Sequence, residues 1–212
     1  CGSPRPWASV YFLHKAAGQG VVMTMQASPG LVRAVNFFDG ISLWSGRIVA
    51  WLILPMVMSL VWEVFARYFF NAPTIWAYDM TYILYGSFFM LGSAYTLLRG
   101  KHIRTDNFYG QWPVRRQGMV DAVCYVVLFF PPLLALLYVT WDYFWVSFMR
   151  GERVVSSPWM PIIYPLKFTM PVTCLLLMLQ GVAEFLRSIH AARTGVWLPR
   201  PSLMPERVVA DV

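Results

Sequence analysis

The chain has 212 residues, of which 58% are hydrophobic and only 13% charged. An ordinary soluble domain carries about 25% charged residues, so this composition leaves too little charge to cover a soluble surface. The formal net charge of +7 does not mark nucleic-acid binding, because Lys and Arg sit at helix ends and in short loops rather than in a run or along one face.

Residues 1–30 are rich in Gly, Pro and Ala and show no period. They read as a disordered extension, or as sequence upstream of a start at Met23 or Met25; a lipid-modified Cys1 is the alternative, and it would place the N-terminus outside. Residues 31–46 read as an amphipathic lead-in. Leu31, Val35, Phe38 and Ile41 recur at helical spacing, while Arg33, Asn36 and Asp39 point elsewhere. Such a helix either lies in the membrane interface or forms the wet start of a spanning helix.

Four uncharged stretches follow. They hold 15 residues between Arg47 and Glu63, 19 between Asp79 and Arg99, 20 between Asp121 and Asp142, and 16 between Lys167 and Glu184. A hydrocarbon core of about 30 Å needs about 20 mostly apolar helical residues. The second and third stretches meet that alone, and the first and fourth meet it with their flanking aromatics. The fold class is therefore an all-α integral membrane protein. Residues 31–190 form a four-helix membrane domain with spans near 44–69, 75–98, 119–147 and 165–189, and 191–212 form a tail. Pro131 and Pro132 predict a kink in the third helix, and Pro55 and Pro171 milder bends. With four spans, thirteen Lys and Arg share the side of the termini and the middle loop, against Arg67, Arg150, Arg153 and Lys167 on the other. The positive-inside rule then puts both termini in the cytoplasm.

Chemistry-bearing residues are sparse. His14, His102 and His190 all fall outside these spans, which leaves no axial pair for haem. No phosphate loop, Cys-x-x-Cys or His-Glu-x-x-His pattern occurs, so no enzyme activity, cofactor or metal is expected. Cys124 and Cys174 read as free, buried thiols at different depths. Charged residues gather at one rim. Glu63 and Arg67 have the spacing of a helical ion pair. Asp79 opens the second helix, where its charge suits the helix dipole, and Asp142 lies in the outer part of the third. They read either as a contact surface or as a self-satisfied Glu63–Arg67–Asp79 cluster. Asn71 or Thr74 is the expected cap of the second helix, with Pro73 in its first turn and Trp76 as an interfacial anchor. Gly100 closes that helix ahead of the basic loop Lys101, His102, Ile103, Arg104, Thr105 and Asp106. Gly46, Gly86, Gly92 and Ser93 are candidates for close helix contact.

At two of these segments, Arg67 to Asp79 and Gly100 to Asp106, the chain resembles the small membrane subunit of tripartite ATP-independent periplasmic (TRAP) transporters. The family turn after the first helix reads Arg-Tyr-x-Phe-Asn-x-Pro-x-x-Trp-Ala-x-acid, usually with Glu where Asp79 stands. The loop after the second reads Gly-x-His-Ile-Arg-x-Asp. The likeness covers about residues 40–190, including Gly151, Glu152 and Arg153 and the segment Pro158 to Pro161. It implies an accessory subunit in the bacterial inner membrane. Its partners would be the lipid bilayer, a large multi-helix membrane subunit and a periplasmic substrate-binding protein, in a sodium-coupled system importing an organic acid. On that likeness Arg67, Asn71, Trp76, Asp79, Arg150, Glu152 and Arg153 shape a periplasmic face. Lys101, His102, Arg104 and Asp106 shape a cytoplasmic one. Two other readings stay open: a membrane anchor of a redox complex, and a stand-alone small carrier.

Overall fold

The computed structural model describes residues 29–99, 109, 112–155 and 157–198. Six α-helices occur among them: α1 (Pro29–Ala50), α2 (Ile53–Phe69), α3 (Ala77–Leu98), α4 (Val114–Cys124), α5 (Phe130–Arg150) and α6 (Tyr164–Thr194). One π-helical turn, Tyr125–Phe129, joins α4 to α5. No strand is found among the described residues, and a single bridge pairs Arg153 with Ile162. Lys101, His102, Arg104 and Asp106 lie outside the described residues, as do the extension before Pro29 and the end of the tail.

Three helical stretches are long and apolar enough to cross a membrane: Pro29–Phe69, Val114–Arg150 and Tyr164–Thr194. At 1.5 Å per residue they run roughly 46 to 61 Å, well beyond a hydrocarbon core of about 30 Å. Helix α3 is not among them. Its 22 residues suffice in length, but Tyr78, Tyr82, Tyr85 and Tyr95, with its Gly, Ser and Thr, dilute its hydropathy without adding charge.

Pro55 and the Pro131–Pro132 pair disturb their helices where the sequence places them. Pro55 has no N–H to offer the Trp51 carbonyl. The chain tightens there, with Trp51 donating to the Ile48 carbonyl and Leu52 to the Val49 carbonyl, both at 3.0 Å, and α1 and α2 part at these two residues. Pro131 and Pro132 cannot bond the carbonyls four residues back, and their rings crowd them. The helix answers by widening into the π turn just before them. Pro171 sits inside α6, which continues through it.

The described residues fall into two compact units. One takes α1 as far as Gly40, helix α4, and α6 from Val182 onward. Here Gly118 lets α4 meet α6 backbone to backbone: a Cβ would stand 2.5 Å from the Ala192 nitrogen and 2.7 Å from the Ser188 oxygen. The second unit holds the rest of α1, α2, α3, α5 and the start of α6, with α2 and α3 packed as a hairpin. Within it Gly46 admits the Tyr95 ring, Gly86 lies against Leu166 and Gly181 lies under the Phe129 ring. Gly92 has open space, and Ser93 donates to the Met90 carbonyl in its own helix.

One expectation needs correction. Cys124 is exposed and only Cys174 is buried, because Cys124 ends α4 beside the π turn instead of within a packed span. His190, placed beyond the fourth span, lies in the last turns of α6 and is buried.

Candidate functional site

In the second unit, polar contacts converge on the turn between α2 and α3 and on the segment after α5. Glu63 and Arg67 form the ion pair their spacing implies, with Arg67 Nη2 donating to Glu63 Oε1 at 2.5 Å. Glu63 also accepts from the Thr74 backbone N–H at 3.0 Å and from the Thr74 hydroxyl. One carboxylate thus ties the last turns of α2 to the connection leading into α3. Asn71 adopts the left-handed region (φ 51°), which suits asparagine, and turns the chain out of α2.

The expected cap of α3 does not form. Thr74 is already bound to Glu63, so α3 winds only at Ala77, with Trp76 at the N-cap position and no side-chain cap bond. Pro73 therefore stands exposed in the turn ahead of the helix, and Trp76 is half-buried at the helix start.

Asp79 is not a member of the Glu63–Arg67 cluster. It is buried and accepts a hydrogen bond from the Ser157 hydroxyl, 78 residues away in sequence. The Ser157 oxygen in turn accepts from the Trp159 backbone N–H at 3.2 Å. The first turn of α3 thereby holds the segment between α5 and α6.

A second tether acts on the same segment. The Lys167 side chain is 5% exposed, and its Nζ lies 2.5 Å from Glu152 Oε2 and 3.8 Å from the centroid of the Tyr143 ring. The ring face and the carboxylate together replace the ammonium's lost water. The hydrogen bond from Lys167 holds the Glu152 carboxyl below the usual carboxylate range. Backbone bonds from Val154 to the Pro161 carbonyl (2.9 Å) and from Ile163 to the Glu152 carbonyl (3.2 Å) close the segment into a fixed loop. Arg150 and Arg153 are exposed and form no ion pair among the described residues. Asp142 is exposed on α5.

The first unit holds a cluster that sequence reasoning missed. Arg187 (1% exposed) donates through Nη1 to Glu184 Oε1 at 2.8 Å and through Nη2 to Asp39 Oδ2. All three residues are buried. The apolar spacing of α1 points Asp39 away from the Leu31–Val35–Phe38–Ile41 stripe, and Arg187 enters the sequence reading only through charge bias. The available signal was the spacing itself: Val35, Asp39 and Ser42 lie on one seam of α1 and are all buried. Glu184 and Arg187 sit three apart on one face of α6.

Among the described residues these contacts fix helix ends and loops. Residues 56–191 match the model described as "Tripartite ATP-independent periplasmic transporters, DctQ component". The chain belongs to this family of TRAP transporter components, as its small membrane subunit. No curated protein matches it.

Proposed function

We propose that the chain is the accessory subunit of a sodium-coupled TRAP transporter of the bacterial inner membrane. It braces a large multi-helix subunit that imports an organic acid delivered by a periplasmic binding protein. The observation that carries this reading is the family match across residues 56–191. The geometry supports it: the ionic groups tie helix ends and loops, as a static brace requires.

Helix α3 is the fourth span in this reading. It packs on α2 after a short turn, so a chain that crosses in α2 recrosses in α3. Both termini are then cytoplasmic, by the thirteen-to-four bias in Lys and Arg. The α2–α3 turn and the Glu152–Lys167 loop form the periplasmic face, with Arg150 and Arg153 outermost in charge. Lys101, His102, Arg104 and Asp106 belong to the cytoplasmic face.

The test is purification of the tagged chain from its native membrane in mild detergent, followed by reconstitution. A stoichiometric large membrane subunit should co-purify. Sodium-dependent uptake should require that subunit, this chain and the binding protein together. Recovery of the chain alone, or uptake by the chain alone, would overturn the proposal.

A further inference from the structure

Helix α5 turns one seam into its unit and the opposite face away from it. Leu133, Thr140 and Ser147, one heptad apart, are buried. Ala135, Tyr138, Asp142 and Met149 stand across the helix from that seam, and all are exposed. Asp142 has no hydrogen bond or ion pair among the described residues.

No depth in a bilayer suits this face if only lipid and water cover it. Asp142 lies eight residues before Arg150, about 12 Å down the helix. If Arg150 sits at the headgroups, an unpaired carboxylate faces hydrocarbon, a costly arrangement. If Asp142 sits at the water boundary, then Val146 and Met149, both exposed, rise above the hydrocarbon. Val155, 86% exposed, lies further along the chain in the loop that Asp79 and Lys167 hold. That loop is itself inverted: Ser157 is buried, while Val155 and Met160 face out.

A protein surface resolves both cases. It can be apolar along its whole height and still place a donor opposite Asp142. A symmetric pair of copies meeting through this face would oppose one Asp142 to another, a like-charge contact. The partner is therefore a different chain.

We propose that the Tyr138–Asp142–Met149 face of α5 is the docking surface for the large membrane subunit. The segment that docks is apolar, extends beyond the hydrocarbon, and carries an Arg, Lys or amide donor at the level of Asp142. This rests on the accessory-subunit reading above.

The experiment places the photoreactive residue p-benzoylphenylalanine at Tyr138 or Met149 of the full chain in its native membrane. Adducts are identified by mass spectrometry after irradiation. In parallel, Asp142→Lys and Asp142→Asn are compared for recovery of the large subunit. Adducts with the large subunit are expected at both positions. Asp142→Lys should lower its recovery several-fold and Asp142→Asn less, with the chain itself present in the membrane at its normal level. Recovery of the large subunit with adducts only to lipid or to a second copy overturns the docking face and leaves the accessory reading standing. So does unchanged recovery with Asp142→Lys. If the wild-type chain recovers no large subunit, both fall together.

Discussion

Two ionic contacts, one in each unit, use charge in different ways. In one, Arg187 is held between Asp39 and Glu184 with all three buried. In the other, Glu63 and Arg67 meet at the surface, with the Arg67 side chain 59% exposed. Water screens the exposed pair whether or not it forms, so its contribution is small. No such relief reaches the buried cluster, where each partner has given up its hydration for the others. A short distance between opposite charges is therefore a poor guide to importance; burial decides.

Truncation at the centre of the buried cluster should give the largest effect. Arg187→Met leaves two buried carboxylates without their shared cation, and breaking a buried pair this way costs about 3–5 kcal/mol. Thermal unfolding of the purified protein in detergent should show it. If Arg187→Met proves as mild as a surface substitution, burial does not govern these contacts.

Asp79→Ala should come next. It removes the charged acceptor of the Ser157 hydroxyl, an interaction worth roughly 1.5–3 kcal/mol. It should also free the loop between α5 and α6, which limited proteolysis in proteoliposomes would read as faster cleavage there. Asp79→Asn, which keeps an acceptor oxygen, should do less.

The Glu152–Lys167 tether predicts a pH effect. Glu152 titrates below its ordinary value in the folded chain. Its contribution is therefore present in full above the ordinary glutamate value, and is lost as pH falls through the lower, folded one. Loop cleavage should rise over that acidic window in the wild-type chain and stay level in Glu152→Gln. Arg67→Ala should give the smallest change, with unfolding near that of the wild type. A large loss there would show that the Glu63 contact with Thr74 depends on Arg67 to hold the carboxylate in place.

Several features were legible in the residues because they depend on neighbours in sequence. Glu63 and Arg67 pair because four residues make one helical turn. Pro55 and Pro131–Pro132 disturb their helices because a missing N–H acts locally. The polar face of the α2–α3 turn was visible too, though the role of Thr74 was not. Its donors go to Glu63, eleven residues back, so the expected cap of α3 never forms.

By itself the sequence determined that this chain is helical, that its charges stand apart from long apolar stretches, and that its motifs are those of a TRAP small subunit. Composition and short-range spacing suffice for that, because helix formation and membrane partition are set by local chain properties. Only the tertiary structure decided which charges are buried. Asp39 meets Arg187 across 148 residues and Ser157 meets Asp79 across 78. No periodicity within one helix encodes such contacts, because they depend on how two distant helices are rotated about their own axes when they pack.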